Sequence, residues 1–174
     1  SGDPYLISRS MALETTFLAT RGTQMESRAL SLAKRAYDLA NECDQPHAMG
    51  LARYGAGLAH FLYGRWGLAS HFLEEAVRIF REECRGAVWE QSSAESFLVS
   101  ALAAQGEFRD LTRRVPEILS EAQDKGNRYL STNLRTGYSI LVWLCADDPD
   151  TAIRNVDDAM TDWSADTYTM QHYQ

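Results

Sequence analysis

The stretch HFLYGRWGLASHFLEEAV, His60 to Val77, sets two histidines eleven residues apart around a Gly-Arg-Trp step. Such a pair could hold a metal ion or pass protons, and either use would imply catalysis. A tetrahedral metal centre needs more than two ligands, and no cysteine or carboxylate completes a site shared by His60 and His71 at ligand spacing. The acidic pairs Glu74-Glu75, Glu82-Glu83 and Asp157-Asp158 offer carboxylates for acid–base work. Neighbours in sequence diverge by about 100° on a helix, whereas a paired acid and base must converge on one cavity. Ser93 and Ser96, in SAES, have no base beside them to make a nucleophile. Arg113-Arg114 could bind a phosphorylated peptide as a pair but reads first as a basic exposed turn of helix. Cys43, Cys84 and Cys145 are odd in number, widely spaced and without a CxxC, so they read as reduced thiols. No catalytic residue, metal or cofactor is expected.

The totals narrow the partners. A formal net charge of −7 and a pI of about 5.1 argue against nucleic acid and anionic membranes. No apolar run approaches the roughly 20 residues of a membrane span, and no secretory leader is visible, so the expected place is the cytoplasm. Hydrophobic residues make up 45% of the 174, enough for a sizeable core. Only four prolines occur, and Ala, Leu, Glu and Arg recur throughout, which favours helix. Ser1-Gly2 reads as a cloning remnant, with the domain running from 3 to 174.

The histidine stretch also shows what must position it. Gly57, Gly64, Ala69 and Ala76 put small residues on two successive helical segments that break at Gly64-Arg65. That is the pattern of an αα-hairpin with closely approaching helices. The unit recurs. Gly106 and Phe108 repeat Gly64 and Trp66 after 42 residues, and Asp147, Ala152 and Ala159 follow 41 further on. Ala29 and Ala36 give the same seven-residue pair near the start. The expected helices are 5–21, 25–42, 46–63, 66–84, 87–105, 108–125, 127–145 and 149–163. They form four units at about 5–42, 46–84, 87–125 and 127–163. Pro4, Pro46 and Pro149 sit at helix starts, Asp44 and Asn127 offer caps, and Pro116 should kink or divide the sixth helix. The fold expected is all-α, an antiparallel array of about eight helices stacked as a right-handed superhelix. Residues 164–174 look like the first helix of a further, truncated repeat.

Gly57, Gly64, Trp66, Ala69 and Ala76 resemble the tetratricopeptide repeat, with its small residue on the first helix, turn glycine, aromatic, and two alanines seven apart. Val99, Leu111 and Ile118 depart from it, and a period near 41 exceeds the usual length of about 34. In that repeat the place of His60 usually carries an aromatic packing residue, which implies a structural role. CRGAVWEQSSAESFLVSAL, RRVPEILSEAQDKGNRYLSTNLR and ADDPDTAIRNVDDAM, with the closing HYQ, look like the C-terminal repeat region of bacterial eukaryotic-type serine/threonine protein kinases. The resemblance spans Asp3 to Gln174 and implies a non-catalytic, regulatory part of such a kinase. Nothing matches a phosphate-binding glycine loop, an HRD-type loop or a DFG motif.

First helices line the concave face of such arrays. The matching places are Leu51, Tyr54, Leu58 and Phe61, then Ser93, Ser96 and Ser100, then Leu134, Gly137, Leu141 and Leu144. They lack the Lys, Arg and Asn that would clamp a peptide carboxylate. Either this apolar face docks a helix or segment, or the array closes over it as core. The expected function is protein–protein interaction and regulation within a larger signalling protein, with a protein, a peptide or another part of the parent as partner. The uncovered C-terminal end, about Trp143 to Tyr173, would form a homodimer or lie under its own tail. Two alternatives have their own marks: a ligand-sensing domain of a transcription regulator, with an aromatic pocket at Tyr54, Phe61 or Trp143, and an enzyme, with a convergent polar cluster.

Overall fold

A computed structural model describes residues 2–161, 163, 164 and 166. Among them nine α-helices and two 3₁₀ turns occur and no strand. The helices are α1 (Pro4–Ala19), α2 (Glu26–Cys43), α3 (Pro46–Leu62), α4 (Trp66–Glu82), α5 (Val88–Gln105), α6 (Phe108–Asp124), α7 (Arg128–Arg135), α8 (Leu141–Cys145) and α9 (Pro149–Thr161). The all-α helical array is therefore present, with sequence-neighbouring helices packed together. The chain divides into two compact units, Ser1–Ala101 and Leu102–Gln174, and the division falls within α5. No helix among the described residues is long and apolar enough to cross a membrane.

In the first unit α1 packs on α2 and α3, and α3 packs on α2 and α4. The start of α1 is fixed by Asp3, whose carboxylate accepts from the Tyr5 amide at 2.9 Å, and by Pro4, which has no N–H to strand. Ala29, Ala33, Ala36 and Ala40 form the buried stripe of α2. Ala69, Leu73, Ala76 and Phe80 form that of α4, at spacings of four, three and four. Gly64 adopts φ 72° at the α3–α4 turn, a conformation that favours glycine. Gly57 lets α3 and α4 touch: a Cβ there would stand 2.7 Å from Leu73 Cγ. Asp44 does not cap α3. It closes α2 in the left-handed region with φ 48°, which an Asx residue tolerates.

In the second unit α7 packs against α6 and α9, and α8 against the same two helices. Leu111, Val115, Leu130, Leu134 and Ala159 fill the core between them. The helix expected over 127–145 is broken. Asn127 caps α7 as expected, accepting from the Leu130 amide at 3.1 Å, but α7 ends at Arg135. Thr136 is extended, Gly137 takes φ 56°, and a 3₁₀ turn, Gly137–Ile140, leads into α8. The hydroxyls of Thr136 and Ser139 bond the carbonyls of Thr132 and Asn133, competition that short polar side chains offer to helix. Conversely, α6 runs unbroken through Pro116. Asp148 accepts from the Thr151 amide ahead of α9, with Pro149 as its first residue. After α9, Trp163 donates its indole N–H to Thr132 Oγ1 at 2.9 Å and lies under the Arg128 guanidinium. The truncated repeat expected over 164–174 lies almost wholly outside the described residues.

Candidate functional site

The residues of the expected concave face fall in both units. In the first, Leu51 and Tyr54 are buried, and Leu58 and Phe61 are half-buried. Tyr54 and Phe61 both meet Phe97 of α5, with ring centroids 6.3 and 5.6 Å apart, so this side of α3 packs against a neighbouring helix. Ser96 and Ser100 are half-buried and donate to the carbonyls four residues back, those of Ser92 and Ser96, at 2.9 Å each. Ser93 is buried, and its hydroxyl has no hydrogen-bond partner. In the second unit Leu134 is buried, Gly137 starts the 3₁₀ turn, Leu141 is half-buried and Leu144 is exposed. Leu144 and Ile153 border a shallow apolar hollow of about 350 Å³ between α8 and α9.

His60 and His71 part company. His60 is 9% exposed and stacks on Phe72 at 5.4 Å with the rings nearly parallel. Burial first, and the positive charge of Arg65 second, push its pKa below the usual 6.5, with Glu26 opposing, so the ring is neutral near pH 7. His71 lies on the surface, edge-on to Phe72 and 4.0 Å from Glu75. Among the described residues no group of three or more His, Cys, Asp or Glu could hold a metal ion.

Around His60 the helices leave a hollow of about 230 Å³. Leu30, Ala33 and Tyr37 come from α2, Ala52, Arg53 and Ala56 from α3, and Phe72 from α4. Arg53 lies over the Tyr37 ring at 4.1 Å and ion-pairs with Glu75 at 3.1 Å. His60 Nδ1 is buried without a hydrogen-bond partner. The aromatic pocket considered from sequence was centred on Tyr54, Phe61 or Trp143, and none of these lines this hollow.

Two polar clusters escaped the sequence reading. Tyr5 Oη lies 3.0 Å from His47 Nδ1, and His47 Nε2 lies 3.2 Å from Glu90 Oε1. The three stand 42 and 43 residues apart, one repeat each time, at the starts of α1, α3 and α5. That periodicity was the available signal: equivalent places in successive repeats stack. Glu95, 1% exposed, accepts from Arg81 at 2.7 Å and from Gln91 at 3.0 Å. Each linkage joins groups that satisfy one another, which ties helices together rather than presenting a reactive atom.

One face is left apolar and open. Leu6, Leu13 and Phe17 of α1 are 54, 45 and 63% exposed. Seven and four residues apart, they share one side of the helix, opposite buried Ser8, Ala12 and Thr15. Set against known protein families, curated proteins and solved structures, the chain has no match.

Proposed function

We propose that this chain is a non-catalytic interaction domain of a larger signalling protein, and that it docks an apolar helix on the open face of α1. The observation that carries this reading is the exposed line of Leu6, Leu13 and Phe17. A helix buried on one side and lined with exposed apolar residues on the other suits a position covered on both. α3 supplies the precedent: it has α1 on one side and, at Phe97, α5 on another. The occupant is accordingly a helix with an apolar stripe, packed on α1 much as α1 packs on α3. Aligned apolar residues on this scale are a common mark of association surfaces. The serine/threonine kinase parentage rests on the sequence likeness alone.

A photo-crosslinking residue in place of Phe17, in the full parent protein in its own cells, tests the docking. Mass spectrometry should find one recurrent crosslinked peptide, helical and apolar on one side, lost on Leu13→Glu. Crosslinks no more specific than those from an exposed control site, Gln123, would overturn it. A crosslink from 17 to 17 would identify a second copy instead.

A further inference from the structure

We propose that the hollow between α2, α3 and α4 binds a small, uncharged, planar aromatic molecule bearing one hydroxyl, a phenol-class ligand. Its size comes first. A cavity of about 150 Å³ accepts benzene, so about 230 Å³ takes one substituted ring. The walls select for a ring. Leu30, Ala33, Ala52 and Ala56 are apolar, and Tyr37 and Phe72 add two aromatic side chains to the lining.

Charge comes second. Arg53 is matched by Glu75 at 3.1 Å, and Lys34, at the margin, by Asp38 at 2.6 Å. Neither cation is left over for an anion. A charged ligand would lose its hydration without a free counter-charge, so an uncharged one fits better.

The hydroxyl follows from His60. His60 lines the hollow, and its Nδ1 is buried with no hydrogen-bond partner. Buried polar atoms in folded proteins are normally satisfied, so an orphan beside a cavity is what a ligand's polar group would complete. His60 is held neutral by burial and by Arg65. In a neutral imidazole Nδ1 is donor in one tautomer and acceptor in the other. A hydroxyl can answer either, whereas a bare hydrocarbon answers neither.

The test is a nuclear magnetic resonance titration of the full isotope-labelled chain with phenol and with toluene, its near-isostere lacking the hydroxyl. Phenol should produce saturable shifts confined to amides near Leu30–Tyr37, Ala52–His60 and Phe72. Ala56→Leu fills the hollow from a half-exposed position and should weaken binding at least about tenfold. His60→Leu should lower the phenol-to-toluene affinity ratio about tenfold. Should that variant fail to fold, the His60 ring ¹⁵N resonances of the parent must move with phenol and stay with toluene. Shifts that never saturate, an Ala56→Leu variant that binds like the parent, an unchanged affinity ratio, or ring resonances indifferent to the hydroxyl would each overturn the proposal.

Discussion

Gly57→Ala sets two effects of similar size against each other, and the structure decides between them. In an open helix, alanine is favoured over glycine by about 1 kcal/mol. At position 57 the new Cβ would stand 2.7 Å from Leu73 Cγ, 3.0 Å from Leu73 Cδ2 and 3.2 Å from the Leu73 backbone nitrogen. Leu73 is fully buried, so its side chain has little room to turn away. The backbone nitrogen sits inside α4 and yields only if the whole helix shifts. Overpacking of this kind costs about 1–3 kcal/mol. Because the Leu73 backbone as well as its side chain stands in the way, the strain falls in the upper part of that range, about 2–3 kcal/mol, and outweighs propensity for a net loss of about 1–2 kcal/mol. Hydrogen exchange read on peptides from α3 and α4 is the suitable assay, because the chain has two compact units and a whole-chain melt would mix them. Exchange there should quicken roughly 5- to 30-fold. Adding Leu73→Val should restore part of the loss, since the two sites touch and their effects should not add. Equal or slower exchange in Gly57→Ala would refute the close approach of α3 and α4.

Ala69→Leu and Ala76→Leu, each at a fully buried position of α4, should each cost about 1–3 kcal/mol, seen as faster hydrogen exchange in the peptides of α3 and α4. His60 has a folded pKa below its unfolded value, so the unfolded chain binds the proton first. Its contribution to stability is whole above about pH 6.5 and is lost as pH falls toward the lowered folded value. The stability of the parent relative to His60→Leu should fall as pH falls over that range, and a pH-independent difference would contradict the buried neutral ring. Burial first, then Glu83 and Glu90, raise the Cys84 thiol above its usual pKa. Mass spectrometry should show exposed Cys145 alkylated about tenfold faster than Cys84 at pH 8.

The helices were legible because their signals are local. Proline at position 4, 46 or 149 needs no amide partner and starts a helix, and small residues at four- and three-residue spacing mark the contact stripes of α2 and α4. The expected starts agree with the structure to within about a residue for most helices. The failures lie where two local preferences compete. Over 127–145 the apolar spacing favours one helix, while Thr136, Gly137 and Ser139 favour a break, and the break wins. Pro116 does not divide α6, which runs through it from Phe108 to Asp124, close to the expected span. Asp44 is a good cap at either end of a helix, and composition does not say which end it serves.

The candidate sites were less legible, because they depend on which side of each helix meets which neighbour. Repeat spacing placed Leu51, Tyr54, Leu58 and Phe61 on one side of α3, but only the packing shows Tyr54 and Phe61 turned onto Phe97. Tyr5, His47 and Glu90 are a repeat apart and could have been aligned from sequence; that they are within hydrogen-bond reach depends on how α1, α3 and α5 stack. The sequence by itself determined the helical class, the hairpin period and the small-residue contacts, since these follow from backbone preference and side-chain size over a few turns. Only the tertiary structure decided that His60 would lose its hydrogen-bond partner beside a hollow while His71 stayed in water. Burial and orphaned polar atoms are properties of three helices meeting, and no single segment of the chain carries them.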